Sequence, residues 1–428
     1  MAEQLKAAEA GGGEAGERVR RDVAEMLLRI ERGGEAVVRE YSRVLDDWDP
    51  PSFAIAADAV AAAGDALGDD LRGHIAFALE QVRGFARHQR ATLADLRVET
   101  LPGVVLGHRH VPVGASGAYV PGGRYPMLAS SFMTIAVPKV AGVPHVVACA
   151  PPQRGAGIHP AMLHAMAASG ADQIVCLGGV QALAAMAFGL GGIEPVDLIV
   201  GAGNAYVAEA KRQLFGRVGI DLLAGPTEVL IIADGTADAD LVAGDLLGQA
   251  EHGPTSPAIL VTTSRAFGLA VEAAVERLLP TWPTAEVAGA AWRTHGEIVA
   301  VRDRAEAIAV ADAYAPEHLE VQVDPAELDA YASGLRSYGS LFLGSEATVA
   351  YGDKAVGTNH VLPTGRAARY TGGLWVGKFL KTVTFQELSA EGTRRVAPAV
   401  AAISHAEGLA GHARTAEIRL ARATGEDA

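Results

Sequence analysis

Residues 145–189 read HVVACAPPQRGAGIHPAMLHAMAASGADQIVCLGGVQALAAMAFG. HVVACA and QIVCL are short apolar runs bounded by Pro or Gly, the pattern of buried strands. HPAMLHAMAASG and VQALAAMAFG are rich in Ala and Met and long enough for helices. Strand, helix, strand, helix at this spacing predicts a parallel sheet. A parallel pair needs a crossover, and the crossover helix buries its apolar stripe on the sheet face.

The alternation extends in both directions. VDLIVGAG precedes NAYVAEAKRQLFG, and after the turn-rich AGPTE come the strand-like EVLIIAD, AILVTTS, EIVAVRD, HLEVQVD and SLFLG. Helical patterns separate most of them. The predicted fold class is α/β: two doubly wound, Rossmann-like units with parallel sheets, plus helical N-terminal and C-terminal segments. Amphipathic Ala-rich patterns predict helices near residues 18–41 and 70–93, after a loose start around Gly13. Residues 98–123 read as extended, and from about Thr371 the chain reads as helical again.

The chain has 428 residues, half of them hydrophobic, which suffices for several domains and excludes disorder of the bulk. Its net charge of −14 argues against a broad phosphate-gripping surface, so no nucleic-acid partner is expected. The two cysteines, Cys149 and Cys176, exclude a disulfide scaffold and a Cys-ligated zinc. Residues 1–22 have no apolar core of a secretory signal. Residues 173–193 are uncharged and long enough to span a bilayer, but Gly178 and Gly179 divide them into a strand and a helix. A cytoplasmic protein without a membrane partner is the expectation.

Five constellations carry candidate chemistry. GAGNAY at residues 201–206 places Gly201 and Gly203 between strand and helix, where backbone approaches a pyrophosphate. Tyr206 stands where the third Gly of the dinucleotide fingerprint belongs, so a plain turn is an equal reading. Gln249 and His252 close a helix begun near Asp238, three residues apart on one face, with Gly253 as C-cap. His252 suits a metal ligand or a helix-terminal cap. Glu317 and His318 stand where a helix gives way to a strand, an adjacent acid and imidazole able to divide general-base work or simply a surface turn. Asp353, Lys354 and His360 lie in a loop rich in Gly, Asn and Pro past a strand, the place where α/β folds put chemistry or an ordinary connection. Glu407 and His412 sit in the tail, where a solvated helix also explains them.

Taken together and in order, YVPGG, VGAGNAYVAEAKR, AGPTEVLIIAD, DLLGQAEHGP, APEHLEVQV, GTNHVLPT and FQELSAEG closely resemble the histidinol dehydrogenase family, over about residues 20–420. The resemblance implies a homodimer with shared active sites, one zinc per active site, and two NAD-linked oxidations that take a primary alcohol through a bound aldehyde to an acid. Carried onto this chain, the zinc ligands are Gln249, His252, Asp353 and His412, the last reaching into the partner's site. Glu317 and His318 match the proton-transfer pair. Tyr119, Gln181 and Asn204 match the NAD contacts. Thr227, His360 and Glu407 match further substrate contacts, beside Gln249, His252, His318, Asp353 and His412; Thr227 stands where the family usually has Ser. The implied domains are residues 1–118 with 226–370, carrying the N-terminal helices and the zinc and catalytic loops; 119–225, binding NAD; and 371–428, a helical tail completing the partner's site.

The resemblance makes L-histidinol, converted to L-histidine in the last steps of histidine biosynthesis, the first expected substrate. YVPGGRYPM, GDKAVGTNH and GRAARYTGGLWVGKFLKT look more like a sister group that oxidises 2,3-dihydroxypropane-1-sulfonate to sulfolactate. Residues 353–381 hold five basic side chains (Lys354, Arg366, Arg369, Lys378 and Lys381) against the single acid Asp353. Histidinol is a cation and favours carboxylates, whereas a sulfonate needs Lys or Arg. A metal-dependent hydrolase and a non-catalytic dinucleotide-binding protein are the other classes, and the presence of the whole residue set argues against both.

Overall fold

The structure is a computed structural model that describes residues 2–8, 14–122, 125–153 and 155–425. Gly13, and Gly123 with Arg124 of YVPGGRYPM, lie outside the described residues. The strands are β1 Glu3–Lys6, β2 Leu96–Leu101, β3 Val104–Pro112, β4 Ala115–Tyr119, β5 His145–Ala150, β6 Gln173–Cys176, β7 Leu198–Val200, β8 Gly219–Ile220, β9 Val229–Ala233, β10 Ala258–Thr262, β11 Gly296–Ala300, β12 His318–Gln322, β13 Ser340–Leu343 and β14 Leu380–Leu388. The chain divides into two compact units, Met1–His88 with Val113–Phe379, and Gln89–Pro112 with Leu380–Ala428.

Two sheets build the larger unit. One is all parallel, in the order β6-β5-β4-β7-β8. The other runs β1-β11-β10-β9-β12-β13 and is parallel except for the edge strand β1, which pairs antiparallel with β11. Successive side chains of VLIIA go to opposite faces. Val229, Ile231 and Ala233 join a core with helices Ala239–Ala250, Arg265–Leu278 and Ala285–His295, while Leu230 and Ile232 pack on the other face against Ala307 and Ala311. Both faces are therefore covered, as the unbroken apolar strands predict. Each fully buried Leu or Ile contributes roughly 1.5–3 kcal/mol.

The span at residues 173–193 is the strand β6 followed by the buried helix Gly179–Phe188. Among the described residues no helix is long and apolar enough to cross a membrane. Cys149 and Cys176 are free and buried, and burial raises both thiols.

Three local expectations change. The helix expected at 18–41 is two helices, Glu14–Gly33 and Glu35–Asp46, because Gly34 takes φ +61°. The extended stretch at 98–123 spans β2 through β4, with Pro102 and Gly103 (φ +78°) turning β2 into β3. The tail is not helical throughout from Thr371. Residues 380–388, LKTVTFQEL, form β14 and pair antiparallel with β3 from Leu380↔Pro112 to Leu388↔Val104. Thr382, Val383, Thr384 and Phe385 suit a strand better than a helix. The helices Ala390–Ala406 and Ala410–Thr424 follow in the smaller unit.

Candidate active site

Thr227 and Glu228 lead into β9, and Glu317 and His318 lead into β12, the strand beside it. The strands pair with His318 opposite Val229, which sets the Thr227–Glu228 turn beside the start of β12. Thr227 Oγ1 donates to Glu317 Oε2 (2.5 Å), and the Glu228 backbone N–H donates to the same oxygen (3.0 Å). Gln249 Nε2 donates to Thr227 Oγ1 (2.6 Å), leaving the amide oxygen as the group available to a ligand. Gln249 is buried in the last turn of helix Ala239–Ala250, whose N-cap is Asp238, as the sequence predicts. The helix ends at Ala250 with Glu251 as cap, so His252 lies in the following turn.

His318 is oriented by a carbonyl. Its Nδ1 stands 3.0 Å from Glu228 O. A carbonyl only accepts, so Nδ1 carries a hydrogen, and Nε2 is the nitrogen that gains or loses the second proton. His318 Nε2 is buried without a hydrogen-bond partner, 3.5 Å from Asp353 Oδ1. His360 is held in the same way: Nδ1 donates to Asp353 O (3.1 Å), and Nε2 accepts from Ser130 Oγ (2.9 Å). Lys354 Nζ stands 3.9 Å from Asp353 Oδ2, on a side chain that is 56% exposed.

The electrostatics follow from burial and opposed charges. Burial raises the Glu317 carboxyl to about 7, against the lowering effects of His318, Thr227 and the Glu228 N–H. Burial alone would lower His318, but the Glu317 and Asp353 carboxylates outweigh it and raise the imidazole to about 9. Burial opposes ionisation of Asp353, yet His318, His360 and Lys354 hold it well below the usual carboxylate range. His252 is lowered, chiefly by burial, and is therefore the neutral imidazole a metal requires.

The structure thus brings Thr227, Gln249, Glu317, His318, Asp353 and His360 together, with His252 within electrostatic reach of Asp353. Glu407 caps helix Ala390–Ala406 and His412 lies in the first turn of helix Ala410–Thr424; both are exposed and belong to the smaller unit. Among the described residues no three His, Cys, Asp or Glu side chains group as a metal site. Of the four expected ligands, Gln249 is an amide and His412 is in the other unit, which leaves His252 and Asp353.

Tyr119, Gln181 and Asn204 lie along the carboxyl ends of the all-parallel sheet. The chain winds from β4 to one side and returns to β7 on the other, so β4 and β7 flank the crevice where such sheets bind ligands. Tyr119 ends β4, and its Oη accepts from the Gly179 N–H (3.1 Å) at the start of the helix bearing Gln181. Gln181 Nε2 donates to Asp46 Oδ2 (2.8 Å), while its Oε1 is buried without a partner. Asn204 caps helix Ala205–Leu214 through Oδ1, which leaves its amide N–H₂ unused. Gly201 has φ +116°, and a Cβ there would meet Tyr119 O at 2.2 Å. That glycine is required by strand packing, which explains the motif without its third glycine.

Sequence reasoning did not single out Glu228. Its carbonyl orients His318, its N–H holds Glu317, and its Oε1 accepts from the Gly365 N–H (3.1 Å). It lies inside AGPTE, which reads only as a turn. Nor are Glu317 and His318 at carboxyl ends of strands, the location expected for α/β chemistry; they stand at the amino end of β12.

A histidinol dehydrogenase family model matches residues 12–420. The chain is 53% identical to a histidinol dehydrogenase homolog of Shouchella clausii, over 95% of both chains. It is 48% identical to the sulfopropanediol 3-dehydrogenase of Ruegeria pomeroyi, over 94% of this chain and 93% of that one. It is 42% identical to the histidinol dehydrogenase of Rhizobium meliloti, over 95% and 93%. The crystal structure of histidinol dehydrogenase from Elizabethkingia anophelis superimposes with a TM-score of 0.89 at 32% identity, covering 97% of this chain and 94% of that one. With family match, relatives and fold in agreement, the chain is an enzyme of the histidinol dehydrogenase family, a family of NAD-dependent oxidoreductases.

Proposed function

We propose that this chain oxidises a primary alcohol to a carboxylate through a bound aldehyde, with zinc and two successive NAD. The observation that carries the reading is His318 Nε2: a buried proton-exchanging nitrogen with no hydrogen-bond partner, beside a carboxylate pair of opposite character. The donor set fits zinc, with a neutral imidazole in His252, an ionised carboxylate in Asp353 and the amide oxygen of Gln249. The unpartnered Gln181 Oε1 and the crevice between β4 and β7 fit a dinucleotide. Bound zinc supplies a Lewis acid that orients the alcohol oxygen, and NAD supplies the hydride acceptor.

The protein's own part is proton handling. His318 takes the hydroxyl proton at Nε2 while its Nδ1–H stays fixed on Glu228 O. Were Asp353 engaged with a metal, His318 would lose one of the two carboxylates that raise it, moving it toward the neutral form that accepts the proton. Glu317, buried and held by Thr227 and the Glu228 N–H, activates the water that adds to the aldehyde. The sum is one alcohol, one water and two NAD⁺ giving one carboxylate, two NADH and three protons. By the family resemblance, His412 and Glu407 complete the site of a partner subunit in a homodimer.

For the substrate, Lys354 supports one of the two readings. Of the five basic residues at 353–381 it is the one beside Asp353. Arg366 and Arg369 are exposed, Lys378 bonds Thr371 Oγ1 (2.8 Å) on the side facing Asp221, and Lys381 is in the smaller unit. An ammonium next to the metal-binding carboxylate favours an anionic alcohol and disfavours a cationic one. We therefore read the substrate as 2,3-dihydroxypropane-1-sulfonate. L-Histidinol is the second reading, favoured by the C-terminal motifs and the carboxylate Glu407. Steady-state NAD reduction with each alcohol separates them: turnover of the sulfonate without turnover of histidinol is the expected result, and the reverse overturns the choice.

A further inference from the structure

Beneath the candidate metal-binding side chains lies a buried polar network that the proposed chemistry does not use. Glu320 is fully buried in the middle of β12, on the same strand face as His318 and Gln322. Its Oε1 accepts from the Val349 N–H (3.0 Å), the first residue of helix Val349–Lys354. Its Oε2 accepts from Gln322 Nε2 (2.9 Å), which also donates to Asp245 Oδ2 (2.9 Å). Asp245 Oδ1 accepts from Thr348 Oγ1 (2.8 Å), the residue just before that helix.

Each end of this network carries a proposed metal ligand. Asp245 lies four residues before Gln249 in helix Ala239–Ala250, so the two share a face. Val349 opens the helix in which Asp353 stands. The strand end at His318 is two residues from Glu320. We propose that Glu320 and Asp245 are positioning residues that tie the Gln249 helix to the Asp353 helix and so set the spacing of the metal-binding side chains. The inference rests on the metal site of the proposed function.

Glu320 is fully buried and Asp245 half-buried, and the network joins them through the Gln322 amide, which donates to both. Burial and the neighbouring Asp245 both push Glu320 well above the ordinary carboxylate range. Gln322 Oε1 is left buried without a partner, so that amide is committed to the acids through its nitrogen.

The test is zinc affinity of the full chain, stripped of metal and titrated against a chromophoric chelator, alongside thermal unfolding. Glu320→Ala is expected to weaken zinc binding about 10–100-fold. Glu320→Gln is expected to recover part of it, because the amide oxygen still accepts from the Val349 N–H, while the amide nitrogen cannot accept from Gln322 Nε2 as the carboxylate does. If Glu320→Ala does not fold, Thr348→Ala removes one hydrogen bond at the network's edge and is expected to weaken zinc in the same direction. A lowered unfolding temperature with unchanged zinc affinity in the variant that folds would overturn the proposal. Wild-type protein that binds no zinc would instead sink the metal site itself.

Discussion

Thr227 bridges Gln249 and Glu317. It accepts from the amide of a residue on a helix and donates to the carboxylate at a strand entrance, with oxygen contacts of 2.6 and 2.5 Å. One hydroxyl thereby fixes which atom of Gln249 is left for a metal and which oxygen of Glu317 is left for water. The hydroxyl must be both donor and acceptor, which Ser supplies and Val does not.

Thr227→Val therefore removes a hydrogen bond to a buried carboxylate, a loss of about 1.5–3 kcal/mol. In kcat this corresponds to roughly 10–150-fold. Thr227→Ser is expected to stay near wild type. Steady-state kinetics on both variants checks the pair; a fully active Thr227→Val means that the hydroxyl does not organise Glu317.

His318→Asn keeps a side chain that can donate to Glu228 O but removes the base. Alcohol oxidation is expected to slow by roughly 10²-fold or more. NAD affinity, measured by calorimetry, is expected to be unchanged, because Tyr119, Gln181 and Asn204 are on the other sheet. An unaffected rate removes His318 from the mechanism.

Lys354→Ala tests the substrate class. Loss of a charge-assisted contact is expected to raise KM for the sulfonated diol by about 10-fold or more. The same change is expected to leave NAD affinity unaltered. An unchanged KM shows that the ammonium does not meet the substrate.

Lys211 and Asp221 form a buried ion pair that holds the Gly201 turn: Lys211 Nζ donates to Gly201 O (2.8 Å), and the Gly201 N–H donates to Asp221 Oδ2 (2.8 Å). Lys211→Met leaves Asp221 buried and unpaired, which costs about 3–5 kcal/mol. Denaturant unfolding reads this directly, and a loss below about 1 kcal/mol means that the site is solvated in a way the burial does not suggest.

The strand–helix alternation was legible because parallel strands are buried on both faces and show as unbroken apolar runs such as VLIIA. β14 was not legible, because an exposed strand of mixed Thr, Lys and Glu has no such run. Gly201 was legible as a special position, but its reason, the Tyr119 carbonyl behind it, is a contact between strands far apart in sequence. The resemblance named the site residues, and the structure added the second row. Glu228 acts through its backbone, Glu320 is a carboxylate buried in a strand, where sequence alone predicts an apolar side chain, and Asp245 is half-buried in a helix.

Two oxidations at one site release two NADH for each alcohol consumed, so the ratio of NADH formed to alcohol consumed reads the proposed reaction. With zinc-loaded enzyme, limiting 2,3-dihydroxypropane-1-sulfonate and excess NAD, two NADH for each alcohol and a carboxylate product are expected. One NADH with release of free aldehyde, or no NADH from either this alcohol or histidinol, would contradict it.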